Sequence, residues 1–210
     1  MDRLAHPAMT AGQPVVFRSP AARAGAWAWL AFAALNLADI AWRGRTLASA
    51  VAACAILLGC GLAYVLGLRP RVSADKTGLR VRNPLRDARL PWPAVRELKA
   101  DHTLTVRFTG PGGTEQTLRA WSLQTSPRAR AREERRLRKR ARELPADVAA
   151  HLAGRTFLDH AVEQLTDLSA RAARPARKEP GTVTWSLPAL AALLVPAALL
   201  TVTVFLGVLS

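Results

Sequence analysis

The side chains that most often carry acid–base or metal chemistry are few and scattered in this chain. Four histidines occur in 210 residues: His6, His102, His151 and His160. None has a Cys or acidic partner at ligand spacing, and Asp101-His102 is predicted at an exposed turn. No phosphate loop, HExxH or GxSxG motif lies in a suitable structural context. We therefore predict no catalytic residue, no metal site and no cofactor, and hence a protein that is not an enzyme.

Two cysteines, Cys54 and Cys60, lie in one apolar run. Because they are six residues apart on a predicted helix, they point to different sides and cannot pair with each other. We interpret both as small apolar helix residues. No disulfide framework is predicted.

The densest charge pattern in the sequence is a predicted basic helix from Arg128 to about Leu144. Ser126 and Pro127 supply its N-cap and its first position. Over these seventeen residues, nine Arg and Lys outnumber three Glu. Positive charge at this density favours anionic partners. The candidate contacts for an anionic lipid or a protein partner are Arg128, Arg132, Arg135, Arg136, Arg138, Lys139 and Arg142.

Three interpretations of this basic helix remain open. The first is a solvated capping helix, because Leu137 and Leu144 give it only a narrow apolar face. The second is contact with acidic lipid headgroups, where each basic residue contributes about 1 kcal/mol. Nucleic acid is the third and is disfavoured, because no aromatic residues are interleaved for base stacking and no groove-reading motif is present.

Three apolar runs predict membrane helices. A bilayer core needs about 20 apolar residues in helical form, and Thr46–Leu68 and Gly181–Ser210 carry no charged residue. Ala24–Trp42 is interrupted by Asn36 and Asp39. We place Asp39 at the membrane interface, and the alternative is a transport path in which it pairs with Asn36. The first two runs predict a helical hairpin.

The distribution of basic residues predicts the orientation of these helices. Residues 69–182 hold 25 Lys and Arg against 13 Asp and Glu, which accounts for most of the net charge of +15. Three arginines precede the first run, whereas the turn between the first two runs holds Arg43 and Arg45. By the positive-inside rule, the N-terminus and the middle segment are predicted to be cytoplasmic.

A small β module is predicted between the second apolar run and the basic helix, over residues 69–121. Apolar and polar residues alternate there in short stretches, most clearly in Leu104–Thr109. Asp75–Gly78 is a predicted turn in which Gly78 is free to take positive φ. Gly110–Gly113 turns the chain into a hairpin partner. About five to seven such strands form a small barrel or sandwich.

Prolines and tryptophans refine this module. Pro91 and Pro93 confine their stretch to a sheet edge or a strand entrance. Trp92 and Trp121 are predicted in the core or as barrel-end plugs rather than as ligand contacts, because large aromatics in small domains are mostly buried. Apolar residues at three- to five-residue intervals predict a further helix over 145–173 that packs on the β module or on a partner.

Four stretches of the β module resemble a known family. They are Arg69-Pro70-Arg71-Val72, Gly78-Leu79-Arg80-Val81-Arg82-Asn83-Pro84, Leu90-Pro91-Trp92 and Leu118-Arg119-Ala120-Trp121. In order and spacing they resemble the bacterial pleckstrin-homology (PH)-like domain of actinobacterial membrane proteins. The resemblance covers about residues 20–142. It implies a PH-like barrel of two packed antiparallel sheets with a capping C-terminal helix, commonly preceded by two helices, and it implies little about function.

The sequence as a whole predicts an α+β membrane protein. Its predicted parts are a cytoplasmic arm (1–23), a transmembrane helical hairpin (24–68), a PH-like domain with a basic C-terminal helix (69–144), a helical extension and linker (145–180) and a third transmembrane helix (181–210). The predicted function is non-catalytic: a scaffold or adaptor that presents the PH-like domain to a protein partner or an anionic lipid. The alternative is an accessory subunit of a membrane transporter or a cell-envelope enzyme complex, acting through its helices.

Overall fold

The computed structural model describes residues 14–100, 103–124, 157–172 and 179–209. Their packing divides the chain into two compact units. The strand unit combines the chain up to Phe17 with Val72–Val81 and Arg89–Thr182. The helical unit combines Arg18–Arg71, Arg82–Ala88 and the chain from Val183 onward.

Three long apolar helices make up most of the helical unit. They are α1 (Pro20–Arg43), α2 (Leu47–Ala63), which continues as a π-helical turn over Tyr64–Leu68, and α4 (Leu187–Leu209). The three helices are 24, 22 and 23 residues long, when the π-helical turn is counted with α2. At a rise of about 1.5 Å per residue, each is long enough to cross a hydrocarbon core of about 30 Å. The prediction of three helices able to span a membrane is confirmed.

Short polar caps start the first two helices where the sequence supplies them. The Oγ atom of Ser19 accepts a hydrogen bond from the Ala22 amide, and Thr46 does the same for the Ser49 amide. Within α1, Asp39 forms an ion pair with Arg43 at 3.3 Å, and Asn36 donates to the Phe32 carbonyl. The two polar side chains of α1 are thus used inside their own helix, as expected for an acid near the helix end rather than for a pair in a transport path.

Helices α2 and α4 pack antiparallel at close range. A Cβ atom at Gly61 would meet the carbonyl of Ala192, so no larger residue fits there. At the other end of the pair, a Cβ atom at Gly207 would lie 2.7 Å from the Leu47 side chain. The end of α2 therefore lies beside the start of α4.

Helices α1 and α2 are antiparallel as well. A Cβ atom at Gly67 would lie 2.8 Å from the carbonyl of Ala22, and Gly59 packs directly against the indole of Trp29. Small residues allow this close approach, as in membrane helix pairs generally. The start of α1, the end of α2 and the start of α4 consequently lie at one end of the three-helix bundle.

The structure corrects the start of the third apolar helix. Its predicted segment began at Gly181, but Thr182–Trp185 is a strand (β8) and the helix begins only at Leu187. Absence of charge made the whole run resemble a span. The residue types of Thr-Val-Thr-Trp, β-branched and aromatic, favour a strand instead.

Within the described residues, eight strands form two antiparallel sheets. Besides β8 they are β1 (Val15–Phe17), β2 (Arg71–Ala74), β3 (Gly78–Arg82), β4 (Arg86–Pro91), β5 (Val95–Ala100), β6 (Thr103–Thr109) and β7 (Glu115–Gln124). The five-stranded sheet has the order β1-β2-β3-β4-β8, and the three-stranded sheet has the order β5-β6-β7. The predicted α+β class with two antiparallel sheets is confirmed.

The core of the strand unit is built mainly by alternation along β2, β3, β4 and β6. Inward positions of these strands are buried, and most outward positions are polar or charged. The largest fully buried side chains of this core are Leu79, Leu90, Leu104, Val106, Phe108 and Leu165. Leu165 belongs to α3 (Phe157–Arg171), which packs against β5 and β6. The predicted packing of a helix from the extension on the β module is therefore confirmed for these residues.

The turn between β2 and β3 forms differently from the prediction. Gly78 does not take positive φ, and among the described residues only Gly112 and Gly113 do. Instead, the Asp75 carboxylate accepts hydrogen bonds from the Thr77 amide and hydroxyl and from the Gly78 amide. Burial alone would raise the pKa of Asp75, but these hydrogen bonds outweigh it and lower the pKa. Glycine is needed at 78 for space, because a Cβ atom there would meet the Leu90 carbonyl.

The prediction that Pro91 and Pro93 mark a sheet edge or a strand entrance is confirmed. Pro91 ends β4, and Pro93 lies in the turn Trp92–Ala94 that leads into β5, an edge strand of the three-stranded sheet. The prediction that Trp121 is buried was wrong. Trp121 is 45% exposed on β7, since its neighbour Ala120 takes the inward position. Trp92, by contrast, is buried as predicted and donates a hydrogen bond from Nε1 to the Asp75 carbonyl at 2.8 Å.

Candidate functional site

The basic helix predicted as the contact surface lies outside the described residues. This holds for all seven predicted contacts: Arg128, Arg132, Arg135, Arg136, Arg138, Lys139 and Arg142. Their role stays a prediction. The described residues contain a different cluster of arginines, which the strands bring together beside the ends of the long helices.

The cluster starts on the first two strands. Strand β1 pairs with β2 so that Phe17 faces Val72. Arg18 directly follows β1, so continuing this register by one residue places it beside Arg71, whose pKa its charge lowers. Directly opposed residues of antiparallel strands project from the same face of the sheet, so these two cations are neighbours.

Strand β3 adds a third arginine to the same row. The β2–β3 hairpin closes with the Asp75 amide donating to the Gly78 carbonyl at 3.1 Å. Counting back along both strands from this bond puts Arg71 opposite Arg82. Along β3, Val81 is buried and Arg82 is exposed, so the row lies on the outer face of the sheet.

Strand β4 brings an acid to the far end of the row. The turn after β3 closes with the Asn83 amide donating to the Arg86 carbonyl at 2.8 Å, which places Arg82 opposite Asp87. The row therefore runs Arg18, Arg71, Arg82, Asp87 across four strands. All four residues belong to the helical unit.

The Asp87 carboxylate is already engaged by a different cation. The Arg69 side chain is only 6% exposed and donates to Asp87 Oδ2 at 2.6 Å. The same guanidinium also donates to the carbonyls of Asn83 and Pro84. Arg69 thus fastens the β3–β4 turn to the segment that leaves α2.

The electrostatics of Arg71 reflect the surplus of positive charge in the row. Its pKa is lowered, first by burial and then by the neighbouring cations Arg82 and Arg18. Asp87 opposes this shift but does not reverse it. Like charges placed directly opposite each other destabilise a sheet. An oxyanion held between these guanidinium groups would remove that repulsion and accept charge-assisted hydrogen bonds.

A cation–aromatic pair stands next to the row, where β8 enters α4. The guanidinium carbon of Arg86 lies 4.4 Å from the ring centroid of Trp185. Trp185 is 56% exposed and precedes the start of α4 by two residues. An amphipathic indole at the end of a long apolar helix is typical of the membrane–water interface.

An apolar groove runs along the helices near the same end of the bundle. It has a volume of about 420 Å³ and lies between α1, α2 and the π-helical turn. Its lining includes Ala22, Gly25, Trp29, Leu62, Leu66 and Gly67. A Cβ atom at Gly25 would meet nothing within 4 Å, so this position opens directly onto free space.

The sequence contained part of the signal for this site. The sequence shows Arg18 as one of the basic residues before the first apolar run, and Arg69 and Arg71 as part of the family resemblance. The alternation of β3 already predicts that Arg82 faces outward. The row itself depends on the pairing register of β1 through β4, which is set by the short hairpin turns. Among the described residues, no group of three or more His, Cys, Asp or Glu is placed to hold a metal ion.

Comparison with known proteins supports the family resemblance. Residues 69–140 match the family described as Bacterial PH domain. The resemblance predicted from the sequence is thereby confirmed for this segment. No curated protein and no solved structure matches the chain. Strands β2 to β7 lie inside the matched segment, whereas β1 and β8, the two edge strands of the five-stranded sheet, lie outside it.

Proposed function

We propose that this protein is a non-catalytic, multi-pass protein of the cell membrane that presents a PH domain beside the bilayer as a scaffold or adaptor. One observation carries the proposal. Both edge strands of the five-stranded sheet continue directly into candidate spans, β1 into α1 and β8 into α4. A central strand, β2, follows the end of α2 just as closely.

These three connections restrict where the PH domain can act. The start of α1, the end of α2 and the start of α4 lie at one end of the bundle, as the contacts at Gly61, Gly67 and Gly207 require. A domain attached at three points on one side has little freedom to leave the membrane surface. Edge strands that lead into helices also leave the sheet poorly suited to adding further strands. Such a domain is suited to holding a partner next to the bilayer.

We further propose that this side is cytoplasmic. The segment between α2 and α4 carries the large excess of basic residues, and the opposite side of the bundle has Arg43 and Arg45 in the short α1–α2 turn. The excess determines orientation under the positive-inside rule. Single cysteines at Lys76 and at Arg45, introduced with Cys54 and Cys60 replaced by alanine, test this in intact cells. A membrane-impermeant maleimide should label the position at 45 and not the position at 76, and the reverse labelling would overturn the orientation.

Crosslinking in the membrane distinguishes this function from the alternative of an accessory subunit. A photo-crosslinking residue is placed in the full-length protein at Lys76 or Arg96 on the PH domain, or at Phe205 on α4. All three positions are exposed. A scaffold predicts that a defined protein is captured from the PH domain positions. Capture from Phe205 alone would support the accessory subunit and contradict the scaffold.

A further inference from the structure

The row of arginines and the apolar groove lie at the same end of the helix bundle. Ala22 and Gly67, which line the groove, are each four residues from an arginine of the row, Arg18 and Arg71 respectively. A ligand that satisfies both features must carry an anionic oxygen group next to a long apolar tail. The arrangement is also placed where such molecules occur, because the row adjoins the ends of all three candidate spans.

We propose that Arg18, Arg71 and Arg82 bind the phosphate of an anionic phospholipid, and that one of its acyl chains lies in the groove beside Gly25. This inference rests on the proposed membrane function and names a specific partner for it. The headgroup, not the whole bilayer surface, is the ligand, since the three arginines occupy neighbouring positions in one row.

The charge balance favours an external anion over any group of the described chain. Asp87 is the carboxylate at the end of the row, and its Oδ2 atom is bound by Arg69 at 2.6 Å. Its Oδ1 atom is buried and has no hydrogen-bond partner among the described residues, so it offers no surface to a ligand. The phosphate would therefore sit toward Arg18 and Arg71, away from Asp87. Arginine suits this role because its planar fork donates two parallel hydrogen bonds to a phosphate.

The groove has the properties of an acyl-chain site. Its described lining is almost wholly apolar, and Trp29 forms one wall. Its glycines differ in purpose: Gly59 and Gly67 allow neighbouring helices to touch, whereas Gly25 faces open space. The volume of about 420 Å³ lies within the range of small-molecule sites. An acyl chain lying there would cover the apolar walls without displacing any side chain.

Native mass spectrometry of the full-length protein tests the proposal. The protein is released from nanodiscs of phosphatidylglycerol or of phosphatidylcholine, and the retained lipid is counted. The wild type should retain phosphatidylglycerol in preference. The double variant Arg71→Gln, Arg82→Gln should retain it at least about tenfold less, since each loses a charged hydrogen bond to phosphate. Equal retention of the two lipids by the wild type would overturn the proposal.

A matched control separates the row from general positive charge. The double variant Arg80→Gln, Arg89→Gln removes two exposed arginines from the same sheet without touching the row. Its retention of phosphatidylglycerol should equal that of the wild type. A loss as large as that of the row variant would show diffuse electrostatic attraction and contradict a built site. If the row variant fails to fold, Arg71→Lys provides a charged replacement, with weakened retention expected and unchanged retention contradicting bidentate binding.

Two further arms identify the source of the phosphate and the occupant of the groove. Soluble glycerol phosphate in excess should not displace the lipid, and efficient displacement would indicate a free phosphate site instead. Gly25→Leu should fill the groove and reduce lipid retention. Unchanged lipid retention in Gly25→Leu would contradict the acyl-chain site. The same holds if the wild type is a dimer and Gly25→Leu is a monomer, because the groove would then be a contact between two copies of the protein. Crosslinking of a protein partner through the PH domain without lipid retention would overturn this inference and leave the proposed function standing.

Discussion

Each of the two sheets carries a row of charged side chains. The charges are balanced within the row of the three-stranded sheet and mostly positive in the row of the five-stranded sheet. In the three-stranded sheet, Arg107 lies between Glu97 and Glu115, at 3.0 and 2.6 Å. Lys99 also pairs with Glu97 at 3.0 Å. Hydrogen bonds and charge from Glu115 and then Glu97 raise the pKa of Arg107. Positive and negative groups alternate, so the charges of this row are neutralised by side chains of the protein itself.

The row of the five-stranded sheet has the opposite character. Arg71 stands between Arg18 and Arg82, and its pKa is lowered by burial and by these two cations. The comparison indicates that exposed arginines on a sheet have different roles, depending on whether carboxylates lie next to them. Because its charges are balanced, the outer face of the three-stranded sheet has no excess positive charge to attract an anionic ligand. Concentrated positive charge beside the span ends leaves a site for an external anion.

The largest expected change in stability comes from Arg69, which belongs to neither row. Arg69→Ala removes a buried cation that holds Asp87 and the carbonyls of Asn83 and Pro84. Because it leaves a carboxylate and two acceptors without their donor, we expect a loss of about 2 to 4 kcal/mol in the free energy of unfolding. Arg107→Ala, on an exposed row, should cost much less, because exposed ion pairs contribute little to stability. Chemical denaturation in mild detergent measures both, and equal losses would contradict the assigned roles.

A smaller effect of opposite sign distinguishes the two rows directly. In lipid-free detergent, Arg82→Gln should stabilise the protein by about 0.2 to 1 kcal/mol, because it removes a like charge opposite Arg71. Arg107→Gln should lower the stability slightly, because it breaks a balanced network. Thermal unfolding of the two variants side by side provides the comparison. Destabilisation by both would show that the arginine row is balanced by a group of the chain.

The smallest effect is a pH dependence that arises from Glu97 in the three-stranded sheet. A hydrogen bond from Lys99, and then its charge and that of Arg107, lower the pKa of Glu97 from its ordinary 4.5, against a smaller opposing effect of burial. A lowered folded-state pKa means that the stabilisation is present above pH 4.5 and is lost as the pH falls through the folded value. Glu97→Gln should therefore flatten part of the acid limb of the stability curve. An unchanged acid limb would show that this pair contributes nothing to stability.

Most of the element types followed from the sequence, for clear physical reasons. Long, mostly apolar runs leave only a helix that satisfies its own backbone in a bilayer, so α1, α2 and α4 were predictable. Strict alternation over Leu104–Thr109 fixed both the strand and its buried face. The family match to residues 69–140 agrees with the stretches that carried the resemblance. These features depend on local pattern alone.

Features that depend on pairing between distant segments were missed. The strands β1 and β8 are three and four residues long, too short for a clear alternation of apolar and polar residues, and β8 lies at the start of an uncharged run that resembles a span. Arg69 looks like any basic residue after a span until its burial beside Asp87 is known. The row of Arg18, Arg71 and Arg82 exists only because three strands share a register. Sequence therefore supplied the elements, and the site required their pairing.

Stabilisation by lipid tests the central claim most directly. Full-length wild type, the double variant Arg71→Gln, Arg82→Gln and the variant Arg107→Gln are unfolded thermally in neutral detergent with added phosphatidylglycerol or phosphatidylcholine. A ligand that binds only the folded state raises Tm in proportion to its affinity. The account predicts that phosphatidylglycerol raises Tm for the wild type and for Arg107→Gln but not for the double variant. An equal rise in all three proteins, or no rise in the wild type, would contradict it.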